Sequence, residues 1–438
     1  MSLLAWIDQL PDNWEAKPLR STADYVISNV DKVPADDEIP VRLCNYTNVY
    51  NNEFITLTLD FMQATASETE IAKFGVAVDD VIITKDSESW DDIGIPALVR
   101  ETASDLVCGY HLALLRPLKQ KMYGAFLFRC LQAKPIRVQL ELAANGVTRF
   151  GIPKSEIGAM TLPVPPLPQQ HAIADYLDRE TARLDALVAA KERVLALLAE
   201  KRRALITRAV TRGLDPHAPL RDSGIPWLGE IPAHWSIIPL KHACSLIKDG
   251  THLPPDRTMT GIPLLSVRNV VGEVFRTLPD DSLIAEEDYE VLCRAFRIER
   301  NDVLLAIVGA TLGKVAVVGD MPRFHIQRSL AAFRANPKLL DFNYLALCLR
   351  SDWFQTILWE SVSFSAQPGI YLGSLRDFCV TRPPLEEQRV IVAHLSAEVY
   401  KVDAIRSATE HTITLLMERR AALLAAAVTG QIDVEAAA

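Results

Sequence analysis

The chain has 438 residues, 49% hydrophobic and 23% charged, with a formal charge of −9 and pI near 5.6. The length allows two to four domains with real cores. The composition excludes a low-complexity chain, and the charge excludes a protein coated in positive charge that wraps nucleic acid non-specifically.

Residues 1–11 carry Asp8 and neither a basic start nor a long apolar run, unlike a secretory leader. No stretch approaches 18 uncharged apolar residues, and the seven cysteines are scattered without CxxC spacing. A cytoplasmic location is expected. The first 162 residues read as mixed α/β, with a strand over Val81-Ile82-Ile83-Thr84 and a helix at about Tyr123 to Leu131. Charge divides sharply here. Residues 1–105 hold 7 Lys/Arg against 20 Asp/Glu, whereas residues 106–160 hold 8 against 2.

Pro163, Pro165, Pro166 and Pro168 then introduce a stretch, Gln170 to Val210, free of proline and glycine. Leu184, Val188, Lys191, Leu195, Leu198, Arg202, Leu205 and Ala209 step by alternating fours and threes, the seam of a coiled coil with polar interruptions. About 40 helical residues span roughly 60 Å, too long a stripe for one small domain to cover. A turn-rich linker, TRGLDPHAPLRDSGIP, leads out of this helix.

A second copy begins after this linker. Trp227, Pro232, Trp235 and Pro239-Leu240 answer Trp6, Pro11, Trp14 and Pro18-Leu19; Asn269-Val270 answers Asn48-Val49, and Asp302-Val303 answers Asp80-Val81. Strands are predicted over Pro263 to Val267, Val303 to Val308 and Val315 to Val318, with a helix at Asn343 to Leu349. Residues 291–334 hold 7 Lys/Arg against 3 Asp/Glu, a basic segment at a place comparable to the first. After Pro383 and Pro384 the long helix recurs without a gap at an offset of 218. Its seam is Val402, Arg406, Thr409, Ile413, Leu416, Arg420, Leu423 and Ala427. The chain is a tandem repeat. Leu184, Leu195, Leu198 and Leu205 are expected to pair with Val402, Ile413, Leu416 and Leu423 in an antiparallel coiled coil, with a pseudo-twofold axis relating the halves.

Catalytic motifs nearly fire and then fail. Gly309-Ala310-Thr311-Leu312-Gly313-Lys314-Val315 has three residues between its glycines where a phosphate loop needs four, and valine where the hydroxyl belongs. A tight turn between strands is the simpler reading. There is no GxGxxG after a strand, no HExxH, no GxSxG, and no histidine cluster at metal-ligand spacing.

The order of two divergent units, each followed by PPLxxQ and a long helix, resembles the specificity subunits of type I restriction–modification enzymes. So do Asp222 to Trp235 (DSGIPWLGEIPAHW), Lys248 to Pro255 (KDGTHLPP), Ile262 to Val270 and Asn301 to Val318. The resemblance implies two target-recognition domains, 1–162 and 214–382, each reading half of a split double-stranded DNA sequence. It implies spacer helices over 163–213 and 383–430, followed by a tail, 431–438. The helices would serve as ruler and as docking surface for two modification subunits and for restriction subunits. The chain itself would hold no cofactor and catalyse nothing; S-adenosylmethionine, ATP and Mg would belong to partner chains of an adenine methyltransferase and endonuclease complex. Polar side chains at strand ends are then candidate DNA contacts: Arg42, Asn45, Thr47, Asn48, Thr148 and Arg149 in the first unit. In the second they are Ser266, Arg268, Asn269, Thr311, Lys314, Arg328 and Gln367. Two other readings stay open: a nuclease or nucleotide hydrolase using the 309–314 turn, and a coiled-coil adaptor that binds only proteins.

Overall fold

A computed structural model describes residues 4–33, 35–362 and 368–434. The chain forms two compact units, residues 1–191 with 411–438, and residues 192–410. Both are mixed α/β, as the alternation of short β-branched runs and helical stretches predicts.

In the first unit a five-stranded sheet runs in the order Ala23–Ile27, Leu112–Pro117, Val81–Thr84, Pro96–Val99, Phe54–Ile55. Its middle strand, Val81–Thr84, is buried along its whole length, which explains an unbroken apolar run instead of alternation. One face packs on the helices Gly124–Gln132 and Lys134–Ala143 through Phe126, Phe128, Leu131 and Ile136. The other meets a three-stranded sheet, Met62–Ala66, Ile39–Cys44 and Leu106–Cys108. The second unit repeats the plan. Cys244–Asp249, Leu330–Ala335, Val303–Ala306 and Val315–Val317 extend to Val274–Phe275 and Val270–Val271, with Phe342–Arg350 and Asp352–Glu360 as the covering helices.

The two long helices are Leu167–Arg212 and Leu385–Val428. Each contributes to both units, so each unit contains a stretch of both. Within the first, Arg420 Nε lies 2.9 Å from Asp185 Oδ1, and Ile173, Ala174 and Leu177 join one core with Leu424, Ala427 and Val428. Residue numbers rise along one stretch as they fall along the other, so the pairing is antiparallel. In the second unit Arg202 Nε lies 3.5 Å from Asp403 Oδ1, and Ala209 and Val210 share a core with Ile391 and Leu395. Most of the predicted seam faces inward: Leu184 and Val402 are buried and Leu195, Leu198, Leu205, Ile413, Leu416 and Leu423 half-buried, while seam residue Arg406 and the off-seam Leu197, Leu415 and Met417 are exposed.

The polar interruptions also have partners. Arg420 bonds to Glu53 beside the first unit's edge strand, and Arg202 bonds to Glu273 at the matching place in the second. The same duplication appears in a buried amide at the start of each long helix. Gln170 Nε2 donates to Lys121 O and Pro165 O, both at 2.9 Å, while its Oε1 accepts from Tyr123 N at 2.8 Å. Gln388 does the same with Leu339 O, Pro383 O and Asp341 N. Both glutamines are fully buried, so every amide atom substitutes for lost water.

These clamps give the first expectation. Gln170→Ala or Gln388→Ala strands three backbone groups in a dry site and should lower stability by about 2–3 kcal/mol. Urea unfolding of each variant measures it; an unchanged midpoint would mean that water replaces the amide at no cost.

Candidate nucleic-acid interface

Several of the expected contact residues build matching turns. In the first unit, Ile39–Cys44 runs into Asn45, which caps the short helix Tyr46–Tyr50. Asn45 Oδ1 accepts from Asn48 N at 3.2 Å, and Asn48 Oδ1 accepts from Asn45 N at 3.0 Å. Thr47 Oγ1 donates to Asn45 Oδ1, and Asn48 Nδ2 donates to Asp60 O. In the second unit, Ile262–Leu265 runs into Ser266, whose N–H donates to Asn269 Oδ1 at 2.9 Å. Asn269 is fully buried, its Nδ2 held by Arg276 O and the Asp281 carboxylate. These polar atoms are engaged inside their own unit, as a capping box requires.

The arginines beside them are also paired. Arg42 meets Asp105 through two bonds of 2.7 and 2.9 Å, and its guanidinium holds the Asp105 carboxyl below the usual range. Arg268 grips Asp280 with bonds of 2.8 and 2.9 Å and Asp281 with another of 2.9 Å, lowering Asp280 in the same way. The basic segments behave likewise. Arg116 is bidentate on the buried Asp80, and Arg334 on the buried Asp302. Arg129 holds Asp178; Lys134 and Arg137 converge on Glu141; Arg297 and Arg323 meet Glu290 and Glu286. Much of the local positive charge therefore neutralises carboxylates of its own unit. Lys119, Arg149, Arg294, Arg300, Lys314 and Arg328 carry no ion pair among the described residues.

Three of these free cations sit at one end of the central strand. In the first unit, Thr148 and Arg149 lie in the hairpin formed by Asn145–Gly146 and Phe150–Gly151, which pairs with Asp86–Ser87 just past Val81–Thr84. They line a cup of about 550 Å³ with Tyr46, Tyr50, Asp86, Asp92 and His111. In the second unit, Thr311 and the exposed Lys314 occupy the turn just past Val303–Ala306, and Arg328 lies exposed just before Leu330–Ala335. The backbone makes the ends equivalent: Lys85 N donates to His111 O, as Ile307 N donates to Ser329 O. Gln367 falls outside the described residues.

The 309–314 turn has little left for a phosphate. The amides of Gly309, Leu312, Gly313 and Lys314 donate to Pro368 O, Gly309 O, Ala306 O and Thr311 O. That is the tight inter-strand turn expected from its glycine spacing. Sequence reasoning missed Tyr46, Tyr50, Asp86 and His111 at the cup. Nothing in their local pattern marks them, because chain segments far apart in sequence bring them together. No helix among the described residues is long and apolar enough to cross a membrane.

The repeated sheet-and-helix units, with open polar strand ends and arginine-tied helix pairs, define a duplicated two-unit protein. A family model described as the type I restriction modification DNA specificity domain matches residues 35–195 and 260–414, and the chain belongs to that family. It is 24% identical over 446 residues to the EcoKI specificity subunit of Escherichia coli, covering 98% of this chain and 91% of the relative. With the putative MjaX specificity subunit of Methanocaldococcus jannaschii it is 22% identical over 400 residues, 89% and 88% of the two chains. A structure from work on complex assembly and conformational transition of the type I R-M system aligns with a TM-score of 0.72 at 18% identity, over 97% of this chain and 99% of that one. The HsdS subunit from Thermoanaerobacter tengcongensis aligns at 0.53 and 18% identity, over 97% and 98%. The chain is a specificity component of a type I restriction–modification system and not one of its catalytic chains.

Caps and free cations should separate in stability measurements. Asn48→Ala and Asn269→Ala are expected to cost about 1–3 kcal/mol by stranding buried partners. Arg149→Ala, Lys314→Ala and Arg328→Ala should stay within about 0.5 kcal/mol of the parent. Thermal unfolding compares them; a large loss for the cations would give them a structural role.

Proposed function

We propose that each unit reads one half of a bipartite double-stranded DNA target, through the side chains at the open end of its central strand. The observation that carries this is the duplication itself: in both units the same strand end presents cations with no ion pair among the described residues, Arg149 in one and Lys314 with Arg328 in the other. Free arginine and lysine suit guanine edges or phosphates, and a protein with two readers specifies two half-sites with a fixed gap. Thr148 and Thr311 lie beside these cations and belong to the same reading surface. Gln367 remains a candidate on sequence grounds. Arg42, Asn45, Thr47, Asn48, Ser266, Arg268 and Asn269 then act mainly by holding the turns that flank the readers.

The long helices supply the ruler and the docking surface for two modification subunits, with restriction subunits joining the assembly. Exposed apolar side chains outside the helix seam, among them Leu187, Leu197, Tyr400 and Ile405, suit such docking. S-adenosylmethionine, ATP and Mg act on those partner chains. Domain limits of 1–162 and 214–382 for the readers, with 163–213 and 383–430 for the spacers, accord with this division of labour.

A methylated-base map of cells expressing the chain with its modification subunits should give one motif of two short blocks separated by a fixed gap. A continuous motif, or none, would sink the bipartite reading. Inserting one heptad into both long helices should widen the gap and leave both blocks unchanged. Insertion into one helix alone should abolish assembly by breaking the seam. Matched insertions that leave the gap unaltered in an intact complex would refute the ruler.

A further inference from the structure

Among the described residues three non-glycine residues have left-handed backbones, and one stands apart. Asp79 (φ 73°) and Asn301 (φ 71°) occupy matching turns before Val81–Thr84 and Val303–Ala306, where Asp and Asn tolerate that conformation. His111 (φ 70°) has no such counterpart; the residue at its place in the second unit is Ser329, whose φ is not positive. Strained backbone of this kind persists only where the surroundings fix it.

The surroundings do fix the ring. His111 Nδ1 lies 2.6 Å from Asp86 Oδ2, and Lys85 Nζ lies 2.5 Å from Asp86 Oδ1. Asp86 is only 9% exposed, and the absent side chain of Gly151 makes room for it: a Cβ there would sit 2.8 Å from Asp86 Oδ1. An ionised carboxylate only accepts, so Nδ1 carries the hydrogen. Lys85 satisfies the other carboxylate oxygen, and the ring is assigned as its Nδ1–H tautomer from this hydrogen bond. Nε2 is then an acceptor, and it has no partner among the described residues.

His111 lines the same cup as Thr148 and Arg149. Asp86, Glu88 and Asp92 line it against the single guanidinium of Arg149, and Tyr50 Oη donates to Asp92 Oδ2 at 2.6 Å. An acceptor at His111 Nε2 mismatches the N7 and O6 acceptors of guanine, which Arg149 in the same cup suits. That acceptor matches an exocyclic amino group, N6 of adenine or N4 of cytosine, in the major groove. We propose that His111, oriented by Asp86, reads the amino group of one adenine or cytosine in the half-site of the first unit. This rests on the DNA-reading function proposed for both units.

The test uses the full-length chain in complex with its modification subunits. Its target duplexes lack one amino group at a time, purine replacing adenine or 2-pyrimidinone replacing cytosine. The parent should lose about tenfold in affinity at one position of one half-site, the size of one base contact. His111→Gly suits a φ of 70°, so its melting temperature should hold or rise while the ring is lost. That variant should bind the intact target about tenfold more weakly and show no further loss at that position, with the other half-site unchanged. His111→Asn, which also tolerates the backbone, should behave the same way. If removing the amino group costs parent and variants equally at every position, the inference is overturned while DNA reading stands. A parent complex with no sequence preference would instead overturn the DNA-reading function itself.

Discussion

A helix of more than forty residues carries an apolar stripe that no small sheet domain can cover, and that mismatch governs the rest of this structure. The stripe's start joins the core of a sheet unit, at Ile173 and Leu177 or at Ile391 and Leu395, and within each unit a stretch of the other long helix lies antiparallel beside it. Apolar packing alone would tolerate sliding by a heptad, because the seam repeats every seven residues. Arg202 and Arg420 remove that freedom. Each reaches across the helix pair to Asp403 or Asp185 and also out to a glutamate of its own unit, Glu273 or Glu53. A half-buried guanidinium with two carboxylates is costly to separate from either one, so register and docking of the sheet onto the helices are fixed together.

The buried glutamines extend the same logic to the helix starts. Pro165 and Pro383 stop the preceding strand pairing, and the following amide gathers the backbone groups left over. Asp80 with Arg116 and Asp302 with Arg334 do so at the base of the central strand, where each carboxylate also accepts a backbone N–H from Ala77 or Glu299. Trp14 and Trp235 donate their indole N–H groups to Gln169 and Glu387 at equivalent sites. These are the places where the two halves of the sequence agree. Each is a site where a polar group would otherwise be buried without a partner.

Much of this was legible in the sequence. Proline-free heptads announced the long helices, β-branched runs announced Val81–Thr84 and Val303–Ala306, and the offset of 218 announced the repeat. The candidate interface was less legible, for a physical reason. An asparagine amide that can read adenine can equally cap a helix, and the local pattern at Asn45–Asn48 and Ser266–Asn269 is the same for both uses. Charge counts mislead in a similar way. Residues 106–160 hold a surplus of cations, yet Arg116 and Arg129 are neutralised by Asp80 and Asp178, which lie 36 and 49 positions away. Only pairing across the fold distinguishes a cation facing solvent from one facing a carboxylate.

The divergence between the halves then acquires a cause. At the base of each central strand the polar atoms bond to backbone, so a substitution strands a partner and the residue types repeat. At the other end Arg149, Lys314 and Arg328 reach solvent, and the types part company: His111 against Ser329, and Asp86-Ser87 against Val308-Gly309. Satisfied polar groups constrain a position from within, and open ones leave it to be set by whatever it touches outside. A protein that needs two different readers on one scaffold can vary the second kind without disturbing the first. The sheet, the arginine ties and the glutamine clamps thus form a frame whose stability is largely independent of what its open ends recognise.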